Sequence, residues 1–282
     1  MVDRSVPALT RRTVMALVGS AVAGIAVAGC ADNQSRAAVT TSPRPLPPTP
    51  LGSGSPSPST TSAPTKPVVP VVPGTLSTPI SVRTKPVFKV HDILPNAPRN
   101  AIALTIDDGP VPYWTPKVLN VLERFNVKAT FCTIGAQVHG RPWLPRAIAS
   151  EGHGLANHSY RHPLDLARLP PARIEQEVAR ASEAIHDATG VAPKLFRSPG
   201  GNWTTEVLTI SARNGLLPID WDIDPVDWSR PGVPHITEKL LKAKPGDILL
   251  CHDGGGDRSE TVAALTVVLP ALKARGLEFI RI

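Results

Sequence analysis

Aromatic side chains are scarce in this chain, 4% of its 282 residues, and so few rings leave no row of platforms on which single-stranded bases would stack. Cysteine is scarcer still: Cys30, Cys132 and Cys251. The last two fall inside expected strands, where a free thiol packs as a small hydrophobe. A bridge between them needs a close Cα approach that nothing in the sequence establishes, so two reduced core thiols are expected. Acidic residues are nearly missing from the first 90 positions, which hold nine of the 30 Lys and Arg but only Asp3 and Asp32. That surplus equals the net charge of +7 for the whole chain, so everything after position 90 is neutral overall. A basic groove for nucleic acid in the folded part is excluded on this balance, while attraction of the front segment to anionic lipid or cell-wall polymer stays open.

What is present divides the chain into three. Arg4, Arg11 and Arg12 precede an apolar stretch from Val14 to Val27 that ends in Val27-Ala28-Gly29-Cys30, the form of an export signal over residues 1–30. The stretch is too short and too rich in small residues to cross a bilayer well. Val-Ala-Gly-Cys resembles a bacterial lipobox, which implies that Cys30 is diacylated and becomes the mature N-terminus. Thr10-Arg11-Arg12-Thr13-Val14 resembles a twin-arginine signal, so the general secretory and twin-arginine routes both stay open. Residues 31–85 are Pro, Ser and Thr with few large apolar side chains. Such a segment cannot bury enough surface to offset chain entropy, and its prolines favour extended conformations. A disordered, semi-rigid tether is expected, holding a domain over residues 86–282 away from a membrane.

Within that domain short apolar runs alternate with helical periodicity. Strands are expected at 101–106, 129–134, 153–157, 195–197, 217–221, 248–251 and 277–280. Between them Val118/Leu122/Phe125 and Ile174/Val178/Ala181/Ile185 recur at helical spacing. Thr115 is expected to cap a helix that has Pro116 at its first position, Thr204 to cap the helix at Glu206, and Gly190, Gly215 and Gly276 to close helices. This alternation predicts a parallel α/β domain, barrel or doubly wound.

The run Ala101-Ile102-Ala103-Leu104 breaks off into Thr105-Ile106-Asp107-Asp108-Gly109-Pro110. A buried strand ending so delivers two carboxylates to the sheet edge where parallel α/β proteins keep their active sites. Adjacent like charges are costly unless a cation or an acid-base role absorbs one of them. A second cluster, Asn157-His158-Ser159-Tyr160-Arg161-His162, spaces two histidines four apart, an arrangement that on a helical turn puts both imidazoles on one face. With Asp108 the set becomes two imidazoles and a carboxylate, which suits zinc or another divalent ion and leaves positions open for water and substrate.

Three further clusters follow later strands: Arg197-Ser198-Pro199-Gly200-Gly201, Asp224-Pro225-Val226-Asp227-Trp228 and Leu250-Cys251-His252-Asp253. Here the chain resembles the polysaccharide deacetylases, the NodB-like domain of carbohydrate esterase family four, with all five family motifs in order. The resemblance implies a distorted, incomplete (β/α) barrel that removes acetyl groups from N-acetylated sugars of peptidoglycan or chitin, or from O-acetylated xylan. It implies Asp107 as catalytic base, Asp108, His158 and His162 as metal ligands, Arg197 as the partner of Asp107, and Asp227 as the residue that orients His252, the acid. Trp228 and Leu250 are implied as walls for the acetyl methyl, and the Gly200 N–H as a donor to the oxyanion. Gly200 is a departure, since the family often has an aromatic there, so sugar preference transfers less well than chemistry.

The chemistry follows from the residue types. Attack on an amide carbonyl localises negative charge on oxygen and leaves a poor leaving group. A divalent ion (zinc, cobalt, nickel or manganese), a carboxylate base and an imidazolium acid answer these two demands. The expected protein is a metal-dependent de-N-acetylase, exported, lipid-anchored on the outer face of the cytoplasmic membrane, monomeric, and acting on cell-wall glycan. N-acetylglucosamine of peptidoglycan is the first substrate to consider. Two other classes compete. A non-haem iron oxygenase also uses two histidines and a carboxylate, but leaves Asp107, Arg197 and His252 without work. A non-catalytic glycan-binding lipoprotein predicts loss of base or acid, and both are present.

Overall fold

The computed structural model describes residues 77–282. The export signal, the lipobox with Cys30 and the tether up to residue 76 lie outside the described residues. In chain order the elements are α1 (Val90–Ile93), β1 (Ala101–Asp107), α2 (Trp114–Arg124), β2 (Thr130–Thr133), α3 (Gly135–Gly140), α4 (Trp143–Ser150), β3 (Gly154–Asn157), α5 (Pro171–Thr189), β4 (Leu195–Phe196), α6 (Thr205–Arg213), β5 (Leu217–Pro218), α7 (Val233–Leu240), β6 (Ile248–His252), α8 (Ser259–Ala274) and β7 (Glu278–Phe279). The strands form one parallel sheet in the order β5-β4-β3-β2-β1-β6, and β7 pairs with the start of β1.

β1 lies between β2 and β6 and is buried along its whole length. A strand covered on both faces reads as a continuous apolar run rather than an alternating one, which is why Ala101 to Leu104 stands out in the sequence. Ile102, Leu104, Ile106, Phe131, Leu249 and Cys251 pack with the inner faces of α2, α7 and α8 into the largest apolar cluster. On α5, Ile174, Val178, Ala181, Ile185 and Ala188 are buried, one stripe at 3.6-residue spacing, and Gly190 ends the helix at φ 76°. Thr204 caps α6 by accepting from the Val207 N–H at 3.3 Å. Cys132 and Cys251 are free and buried.

The sheet curls. Leu217 and Ile219 continue the pairing with β4, Ile219 also bridges Val87, and Ile223 bridges Leu249 of β6. One segment therefore ties the two outer strands of the sheet together, and the barrel is closed by single residues instead of full strands. This corrects the strand expected at 217–221: only Leu217–Pro218 pairs as strand, because the chain then leaves β4 to reach β6.

Two more expectations change. α2 begins at Trp114 with Tyr113 as its N-cap, and Thr115 lies inside the first turn. Its hydroxyl is already engaged, accepting from the Val111 N–H at 2.7 Å and donating to Asp253 Oδ2 at 2.5 Å. The end of the segment expected as tether also rests on the domain: Ser77 is buried and accepts from Lys194 Nζ at 3.0 Å, and the Ile80 N–H bonds to Ala212 O.

Candidate active site

Parallel register places the key groups. Asp107 and His252 are partners at the C-terminal ends of adjacent strands β1 and β6, so their side chains emerge side by side. Leu250 is two residues before His252 and partners Thr105, buried below the site. Arg197 follows β4, and His158 follows β3. Four segments far apart in the chain thus meet at one edge of the sheet.

Asp107 faces a fully buried guanidinium: Arg197 Nη1 donates to its Oδ1 at 2.7 Å and to Thr105 Oγ1 at 2.8 Å, while Nη2 donates to the Asp220 carbonyl at 3.0 Å. Thr105 passes its own proton to Leu249 O at 2.7 Å. Breaking a buried pair of this kind by removing one partner costs about 3–5 kcal/mol.

Asp108 turns the other way. Its φ is 73°, left-handed backbone that costs about 1–3 kcal/mol for a non-glycine residue and clusters at functional sites. Its Oδ1 lies 3.2 Å from His162 Nε2 and 3.5 Å from His158 Nε2. That oxygen is buried and accepts no well-formed hydrogen bond, and one ligand atom from each of the three residues lies within 4.8 Å of the other two. His158 Nδ1 donates to Arg197 O at 2.8 Å, which fixes the ring and turns the Nε2 lone pair inward. Burial opposes the charge on Asp108, but His158 close by and the fields of His252 and His162 hold its carboxyl far below the usual range. Burial pushes His162 down, towards the neutral ligand form, whereas on His158 it is overcome by Asp107 and Asp108, which pull a proton onto the ring. An orphaned carboxylate oxygen facing two imidazoles with a fixed outer hydrogen bond is a donor set that fits a divalent cation.

The histidine segment is not the helical turn expected from its spacing. It is a loop with Ser159 at φ 60° and His162 at φ 59°, pinned from outside. Asn157 donates to Val178 O and Ser182 Oγ of α5 and accepts from the Ser159 N–H at 2.8 Å. Glu177 accepts from the Arg161 N–H at 2.6 Å, and Ser159 Oγ from the His162 N–H at 3.0 Å. The two rings still converge, 4.7 Å between centroids.

His252 Nδ1 donates to Asp227 Oδ1 at 2.6 Å, and Asp227 Oδ2 accepts from the His252 N–H and from Thr261 Oγ1. Burial works against the imidazolium, but this bond and the Asp227 charge outweigh it, so the ring is pushed up to about 8. Trp228 is 56% exposed and Leu250 3%. Gly200 has φ 64°, and a Cβ there would sit 2.9 Å from Asn202 Nδ2 and 3.7 Å from Leu164. The place an aromatic would take is bordered by these two.

Thr105, Thr115 and Asp220 brace the site without having been singled out for it. Asp253 had been noted only as the neighbour of His252. Its N–H donates to Asp107 O at 3.0 Å, its carboxyl bonds Thr115, and burial pushes that carboxyl up to about 7. His153, just before β3, accepts from the Ala129 N–H at 3.1 Å, and burial lowers it to about 4.

Residues 95–219 match the family model described as polysaccharide deacetylase. A chitooligosaccharide deacetylase of Bradyrhizobium sp. (strain ANU 289) is 46% identical over 191 residues, 63% of this chain and 87% of that protein. A peptidoglycan-N-acetylglucosamine deacetylase of Bacillus cereus is 39% identical over 184 residues, 64% and 85% of the two chains. Among solved structures, the Bc1960 peptidoglycan N-acetylglucosamine deacetylase superposes with a TM-score of 0.63 at 34% identity, covering 66% of this chain and 88% of that one. A family-four pseudoenzyme from Bacillus anthracis superposes equally well, TM-score 0.64 at 27% identity over 72% and 68% of the chains, so the fold alone does not decide activity. The curled parallel half-barrel and these relatives together make the chain a member of the polysaccharide deacetylases, the NodB-like family four of carbohydrate esterases.

Proposed function

We propose that the protein is a metal-dependent hydrolase that removes N-acetyl groups from cell-wall glycan, with N-acetylglucosamine of peptidoglycan as its substrate. The observation that carries this reading is the in-register pair Asp107 and His252, each with its own partner, beside the Asp108/His158/His162 donor set. Asp108, His158 and His162 would hold one divalent cation, zinc first, which when bound polarises the acetyl carbonyl and acidifies water. Asp107, oriented by Arg197, accepts the proton of the attacking water. The Gly200 N–H donates to the oxygen that gains charge, and Trp228 and Leu250 flank the methyl.

His252 then protonates the departing nitrogen. An amine leaves poorly without that proton, so an imidazolium kept charged by Asp227 favours amide over ester hydrolysis. Lipidation at Cys30 and the proline-rich segment would place the site on the outer face of the cytoplasmic membrane, within reach of the polymer. The test is release of acetate and free amine from purified peptidoglycan with divalent metal supplied, run beside chitin oligomers and acetylxylan. Equal amounts of the two products from peptidoglycan are expected. Acetate from xylan alone would replace the reading with O-deacetylation, and no acetate from any of them would favour a non-catalytic glycan binder.

A further inference from the structure

The catalytic candidates stand where strands end, and the opposite end of the sheet, where strands begin, has no part in the account so far. Residues after position 90 are neutral overall, but their charge is divided between these two ends. Asp107, Asp108, Asp227 and Asp253 gather at the first. At the second, Arg99 leads into β1, Lys128 into β2, Lys244 into β6, and Lys273 and Arg275 into β7, with Arg281 just beyond it. Lys128 is half-buried and the other five are exposed. Among the described residues none of the six forms an ion pair with a carboxylate. Lys128 Nζ donates instead to Glu151 O at 2.6 Å, Lys273 Nζ to Phe125 O at 2.7 Å and Arg275 Nη2 to Ala243 O at 2.8 Å. A carbonyl holds such a group in place without cancelling its charge, and Glu123, Glu151 and Glu278 nearby offset only part of it. Lys128 and Arg281 also act together on the ring of His153, where their fields add to burial in holding it down at about 4.

Two clefts lie among these cations. One, of about 550 Å³, is lined by Leu94, Pro98, Phe279 and Ile280 together with Lys128 and Arg281. The other, of about 460 Å³, shares Lys128 and Phe279 and adds Lys273. Apolar side chains set between cations suit a surface with phosphate outside and hydrocarbon beneath better than a wholly hydrophilic polyanion. The path of the chain agrees. Ser77 packs on Gly215, ahead of β5, and is bonded by Lys194, ahead of β4, so the segment leading from Cys30 joins the domain at its basic end.

We propose that this end of the sheet docks on an anionic membrane surface, with Lys128, Lys273 and Arg281 against lipid phosphates, so that the opposite end presents the site outwards to the glycan. The inference rests on the reading of an exported, lipid-anchored deacetylase and is tested without catalysis. Each cation near an anionic surface contributes modestly, but the anchor keeps the domain at high local concentration, so weak docking is enough. Residues 30–282 with Cys30→Ser, the mature chain without its acyl group, are sedimented with vesicles of phosphatidylcholine alone or with about 30 mol% phosphatidylglycerol. Binding to the anionic vesicles only is expected, weaker at raised salt. Lys128→Gln, Lys273→Gln and Arg281→Gln together should weaken it about 100-fold, with acetate release from soluble oligomers unchanged. Arg36→Ser, Arg44→Ser and Lys66→Ser in the front segment should cost far less, and if the first variant does not fold, retained binding by this second one still decides. Equal binding to both kinds of vesicle overturns the inference, as does a loss with the front-segment variant as large as with the first. Binding of soluble poly(glycerol phosphate) with none to vesicles overturns it in favour of a wall polymer. Vesicle binding without any acetate release upholds it and removes only the hydrolase reading.

Discussion

At the scale of single residues, the bond between Asp227 and His252 raises the histidine, and in the proposed reaction departure of the amine would depend on that proton. With His252 at about 8, kcat is expected to fall as pH rises through about 8. Asp227→Asn removes the anion that holds the proton, so the alkaline limb should move down towards the ordinary histidine value of about 6.5. A pH profile of kcat for both proteins checks this, and an unmoved limb would deny Asp227 its role. The same shift has a sign for stability. A histidine whose folded value is raised contributes stability that is fully present below about 6.5 and is lost as pH rises through about 8. Arg197→Met leaves Asp107 buried and unpaired, and a loss of about 3–5 kcal/mol in chemical denaturation is expected. Arg197 was legible as a candidate because it follows a strand.

At the scale of elements, the histidine loop shows what spacing can and cannot say. Two histidines four apart did converge, but through a left-handed loop fastened to α5 and not through a helix. Its fastening is tertiary, made by Asn157, Glu177 and Ser182 from segments whose meeting no local pattern encodes. Asn157→Ala should therefore weaken zinc binding by about 10- to 100-fold, as loss of an outer support does, with Asp108 and both histidines untouched; a zinc titration of the two proteins measures it, and unchanged affinity would show that the loop holds itself. Thr115 teaches the same point from the other side. Its position before Pro116 reads as a helix cap, but its hydroxyl oxygen accepts from the Val111 N–H instead, while its proton goes to the buried carboxyl of Asp253. Thr204 has no such competitor, and its cap formed as its sequence suggests.

At the scale of the whole molecule, the parallel α/β order and the gathering of motif residues at one sheet edge were legible because strand ends announce themselves where an apolar run meets charge. The curl was not, since it depends on Ile219 and Ile223 bridging two distant strands one residue at a time. The lipobox at Val27-Ala28-Gly29-Cys30 makes a further prediction: with Cys30→Ser, activity should move from the membrane fraction to the soluble fraction of exporting cells at unchanged kcat on soluble oligomers, and activity retained in the membrane fraction would refute the lipid anchor. A family-four pseudoenzyme shares the fold, so catalysis has to be measured on this chain itself. The most direct measurement is acetate release from purified peptidoglycan by the zinc-loaded full chain and by its Asp107→Asn variant, with bound metal counted in both. The account predicts one metal ion per chain in each and a rate at least about 100-fold lower in the variant; equal rates, or no release by the unmodified chain, would contradict it.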